Sequence, residues 1–181
     1  MNEHLMNLLI VSVAFIIAFS LTLGFVFPLQ RILLANVPIT ISLLFLPHGV
    51  RVLAFYFYGW KAIFYILPAS LLMTYLSARN GVPLALPSAV VSTVACYVGY
   101  RLCTLIMSDD GSNFGKHKWK FFLFVGAVSS VVNGAALSVY KGVENPFTTT
   151  LGYVIGDMAG LMLAFYMLII AFRIARSIPR Q

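Results

Sequence analysis

The stretch LLIVSVAFIIAFSLTLGFVF, residues 8–27, decides the fold: it carries no charge, and Ser12, Ser20 and Thr22 are its only polar side chains. Coiled as a helix it rises about 30 Å, the thickness of a bilayer's hydrocarbon core. The leader Met1 to His4 holds Glu3 and no Lys or Arg, and the run exceeds the core of a secretory signal. It reads as a retained first helix.

The rest of the chain repeats this pattern. Hydrophobic residues make up 61% of the 181 and charged ones 9%, against about 25% charged in soluble domains. That is too little charge to coat a water-facing surface, and the mean hydropathy of +0.95 agrees. A soluble enzyme, a disordered regulator and a nucleic-acid-binding domain are excluded. The expected fold is an all-α polytopic membrane bundle of about six helices, one integral domain over 1–181. The spans fall at about 7–28, 38–59, 61–78, 86–107, 119–140 and 147–172. Pro28, Asn80-Gly81 with Pro83, the polar run 108–113 and the turn from Gly142 to Pro146 separate most of them.

The net charge of +7 belongs to topology rather than to nucleic acid. An inside N-terminus puts Lys61, Lys116, Lys118, Lys120, Arg173, Arg176 and Arg180 on the cytoplasmic side. Arg31, Arg79 and Lys141 then lie outside, a bias that favours both termini being cytoplasmic; the expected location is the bacterial inner membrane. Cys96 and Cys103 are seven apart, about 10 Å along a helix and too far for a disulfide, so they read as small packing residues. The aromatic residues Phe55 to Tyr58 and Trp60 beside Lys61, and Trp119 beside Lys118 and Lys120, read as interfacial anchors.

The second span is irregular. Pro47 and Gly49, in Leu46-Pro47-His48-Gly49-Val50-Arg51, predict a helix break, either a kink or a re-entrant half-span meeting a short helix. Broken backbone at that depth survives only inside protein or beside a water-filled cavity. Counted from the span ends, His48 and Asp157 both lie about 15 Å down and Arg51 about 20 Å. Intramembrane charge marks a partner or a task. Two readings follow. Arg51 and Asp157 form a buried bridge that locks two helices, with His48 beside it. Alternatively, the three line a ligand-binding centre where Arg51 meets an anion or Asp157 holds a cation or proton. Arg101 is near enough to its span end to snorkel.

Gly152, Gly156 and Gly160 recur every four residues, and Gly126, Ser130 and Gly134 do the same on the fifth span; both patterns predict close helix packing. Dimerisation through the last helix is the alternative. Catalytic residues, metal ligands and cofactors are not expected: His4, His48 and His117 are far apart, and neither a phosphate loop nor a nucleophile elbow is present. The expected contacts are the lipid bilayer, a membrane or cytoplasmic protein partner or a second copy, and a small-molecule ligand.

Two patches resemble the membrane-associated sensor (MASE-type) domains of bacterial signalling proteins. One is Leu46-Pro47-His48-Gly49-Val50-Arg51-Val52-Leu53-Ala54 followed by Gly59-Trp60-Lys61. The other is Gly156-Asp157-Met158-Ala159-Gly160-Leu161. The resemblance implies a sensory membrane module, here without the family's kinase or cyclase output domain, acting through another protein. It marks Pro47, Gly49, Gly156, Asp157 and Gly160 as family-like. Ala14 and Ala18 on the first helix are similar to the small-residue motif of the substrate-binding S components of energy-coupling-factor vitamin transporters. That likeness implies a non-enzymatic binding subunit of a small-molecule transporter. A structural subunit of a membrane complex is the remaining expectation.

Overall fold

The computed structural model describes residues 2–33, 42–79, 86–107 and 118–177, and among these every ordered element is helical. Apolar surroundings dictate this, because backbone groups without water must be paired within their own segment. The elements are α1 (Glu3–Leu21), a π turn (Thr22–Val26), α2 (Phe27–Leu33), α3 (Leu46–Tyr58), a 3-10 turn (Gly59–Lys61), α4 (Ala62–Arg79), α5 (Leu86–Met107), α6 (Lys118–Lys141) and α7 (Pro146–Ser177).

Among the described residues, five helical runs are long and apolar enough to cross a membrane, where the spacing of breaks predicts six. They are Glu3–Leu33, Leu46–Ala78, Leu86–Ile106, Trp119–Lys141 and Pro146–Ala171. The expected first, fourth, fifth and sixth spans match runs in this set. The expected second and third share the run Leu46–Ala78, and residues 38–41 lie outside the described residues. That run is not straight. Gly59, at φ +54°, ends α3 and turns the chain into α4, a conformation that glycine alone adopts freely. The turn brings Arg51 of α3 within 3.3 Å of Ser70 of α4, residues that one continuous helix would hold about 28 Å apart.

The expected break is not found at Pro47 and Gly49 themselves. Both lie within α3, and the irregular backbone is residues 42–45, just upstream. Pro47 occupies the first turn, where its missing N–H leaves no bond unmade and its fixed φ suits the helix. The proline therefore starts a helix. Gly49 serves contact: a Cβ there would lie 2.6 Å from Ala164 Cβ and 3.3 Å from Leu161 Cα of α7.

Helix α3 is the hub, touching α1, α4, α5, α6 and α7, while α5, α6 and α7 pack in sequence and α1 lies on α4. Phe15, Val52, Phe55, Ile66, Val125 and Leu161 form the buried core. Phe55 is not the interfacial anchor its neighbourhood suggests; it is fully buried, with Tyr97 and Tyr100 rings 5.7 and 6.3 Å away. Trp60 and Trp119 are exposed, in keeping with the anchor role. Cys96 and Cys103 are buried and unbridged, and Arg101 is exposed.

Candidate functional site

The site begins with the glycines of α7. A Cβ on Gly156 would run into the carbonyl of Ser42, and one on Gly160 into that of Phe45. The groove that four-residue spacing cuts into α7 thus receives the non-helical strand of residues 42–45 rather than another helix. The Phe45 amide donates to the Gly156 carbonyl at 2.8 Å, and the Leu43 amide donates to Gln30 Oε1 at 3.0 Å. These bonds satisfy backbone that has left helical geometry inside the bundle. Gly156 lies ten residues past Pro146, about 15 Å along α7, so α3 starts near mid-depth. Gly152, one turn earlier, is half-buried.

Because α3 starts there, His48 and Arg51 emerge at the level of Asp157. The expected Arg51–Asp157 bridge does not form. Asp157 pairs with His48 instead, Oδ2 to Nδ1 at 3.5 Å, both residues 1% exposed. The other ring nitrogen of His48, Nε2, lies 3.3 Å from the Gly126 carbonyl and 3.3 Å from Ser130 Oγ. Asn133 Nδ2 donates to the same Asp157 oxygen at 3.5 Å. These contacts are long and individually weak, yet together they join α3, α6 and α7. The reason for the altered pairing is angular: His48 and Arg51 are three residues apart, and only His48 faces the α6–α7 seam.

Gly126, Ser130 and Gly134 therefore differ in role. A Cβ on Gly126 would strike Leu161, and one on Gly134 would lie 2.9 Å from Thr150 Cγ2, so both allow close α6–α7 packing. Gly126 also offers its carbonyl, and Ser130 its hydroxyl, to His48.

Arg51, about 60° round α3 from His48, reaches α4 instead. One terminal nitrogen donates to Ser70 Oγ at 3.3 Å, and the guanidinium carbon stands 5.2 and 5.6 Å from the ring centres of Phe15 and Phe45. The side chain is 3% exposed, and its Nε–H has no acceptor. A cavity of about 60 Å³ adjoins it. Arg51, Asp157 and Asn133 lie at its mid-depth end, and Leu137, Lys141 and Tyr153 line it toward the far ends of α6 and α7. Lys141 Nζ donates to the Tyr153 hydroxyl at 3.1 Å. Asn133, 4% exposed, leaves its Oδ1 without a donor. Its amide orientation follows from chemistry, because the N–H end must face the Asp157 carboxylate.

Sequence reasoning passed over Asn133 and Ser70. A lone amide in the apolar run 119–140 was a usable signal, since such side chains bond across membrane helices. Ser70 carried none. No group of His, Cys, Asp and Glu that could hold a metal ion occurs among the described residues. Comparison with protein-family models, curated proteins and solved structures finds no match for this chain.

Proposed function

We propose that this chain is a multi-pass module of the bacterial inner membrane, with both termini cytoplasmic, that binds a small ligand at mid-depth and passes its occupancy to a partner protein. One observation carries the reading: Arg51 and Asn133 line the same cavity, and each has a buried polar atom, Nε and Oδ1, with no hydrogen-bond partner among the described residues. A buried donor or acceptor left unpaired costs about 1–3 kcal/mol, a cost that an occupant removes. The sensory likeness at Leu46–Ala54 and Gly156–Leu161 agrees with this reading. A cavity of this volume favours a ligand of a few heavy atoms over a vitamin-sized one.

In the same proposal the chain crosses six times. The four non-helical residues 42–45 lengthen the roughly 20 Å that α3 spans and carry the second crossing toward the outer face. The cavity then opens to the outer face, where Lys141 lies. A structural role has its own support in the His48–Asp157 cluster, whose contacts tie three helices together. We assign the lock to that cluster and recognition to the Arg51 side.

Gentle purification from native membranes into nanodiscs, with mass spectrometry of the protein and of small compounds released by denaturation, tests this. A stoichiometric protein partner and a small polar compound, missing from an Asn133→Leu preparation, are the expected result. An empty protein recovered alone would count against it.

A further inference from the structure

We infer that the occupant is a small monocarboxylate carrying a hydrogen-bond donor beside the carboxylate, as a 2-hydroxy acid does; this rests on the ligand-binding reading above. Charge comes first. Arg51 and Lys141 outnumber Asp157 on the cavity wall, and Asp157 is already engaged by His48 and Asn133. The wall therefore favours one negative charge on the ligand.

Geometry selects the kind of anion. The guanidinium of Arg51 is fixed by Ser70 and held against Phe15 and Phe45. Its free Nε–H lies on a planar edge, which suits an sp² carboxylate oxygen. The unpartnered atom of Asn133 is an acceptor and needs a donor from the ligand. A plain carboxylate meets the first requirement only; a neutral amide can make both hydrogen bonds but leaves the surplus positive charge of the wall uncompensated, and an ammonium fails at Arg51. A phosphate dianion carries more negative charge than the one net positive charge of the wall, Arg51 and Lys141 less Asp157, balances.

Size completes the argument. A cavity needs about 10–15 Å³ for each water-sized group, so 60 Å³ takes roughly four to six heavy atoms. Glycolate and lactate fall in that range.

The test is calorimetric titration of the full chain in nanodiscs with glycolate, acetate, acetamide, methylammonium and inorganic phosphate. Glycolate should bind at least tenfold more tightly than acetate, and acetate more tightly than acetamide or methylammonium. Asn133→Leu should erase the glycolate preference while keeping acetate binding. Arg51→Lys should weaken both carboxylates at least tenfold. Should the Arg51 variant fail to fold, Lys141→Gln provides the second charge test, with a smaller loss confined to anions. Binding of acetamide, methylammonium or phosphate in place of glycolate overturns the ligand class and leaves the cavity a binding site. If none of the five solutes binds the wild type, and Asn133→Leu is as stable as the wild type, both the class and the cavity reading fail.

Discussion

Two voids flank α3, and they could hardly differ more. On the Arg51 side lies the small polar cavity, about 60 Å³. On the opposite side Leu46, Val50, Leu53 and Ala54 face an apolar groove of about 600 Å³ walled by Ala14, Ala18 and Ala164 among others. Volume alone would choose the groove. In a membrane that choice misleads, because lipid tails fill an apolar groove without loss, whereas an unpaired buried donor has no such remedy. Polar atoms left over, rather than space left over, mark a site here.

The most far-reaching substitution would break the platform on which both voids rest. Gly160→Ala drives a Cβ into the backbone of Phe45 and Leu46 and should cost about 3 kcal/mol. Gly24→Ala meets nothing within 4 Å and should be neutral or gain up to about 1 kcal/mol. Unfolding midpoints in the same detergent check the pair; equal behaviour would sink the account of strand 42–45 seated on α7.

Truncating Phe55 to Ala should cost about 3–5 kcal/mol, as for other buried aromatics. Its groove-facing neighbour Val50→Ala should stay within about 0.5 kcal/mol. A comparable loss at both positions would mean that the groove is packed rather than lipid-filled.

A double-mutant cycle sharpens the polar side. His48→Gln with Asp157→Asn should show coupling of about 0.5–3 kcal/mol, as contacting residues do. Arg51→Gln with Asp157→Asn should show less, and a charge-swapped Arg51→Asp, Asp157→Arg protein should recover nothing. Recovery by the swap would restore the direct bridge that the geometry replaces.

The smallest effect concerns Thr74→Val on the cavity wall. Thr74 is buried and lines the cavity, so loss of its hydroxyl should alter glycolate affinity a few-fold and stability by less than about 1 kcal/mol. An unchanged affinity would place the ligand away from α4.

The local sequence determined that the chain is helical and apolar enough to cross a membrane, and that His48, Arg51 and Asp157 share a depth. Both follow from composition and from a fixed rise per residue, which need no partner segment. It also marked Gly156 and Gly160 as a surface for close approach, since absent side chains are visible in a string of letters. What packs into that surface was decided by tertiary structure, because a non-helical segment and a helix can use the same glycine groove. The start of α3 depended likewise on where the backbone of residues 42–45 finds hydrogen-bond partners, the Gly156 carbonyl of α7 and the Gln30 side chain. Once α3 begins at Leu46, the rotation between His48 and Arg51 sends one to Asp157 and the other to Ser70. Depth is additive along a chain, but direction is set by the neighbours; this is why the level of the polar centre was legible and its pairing was not.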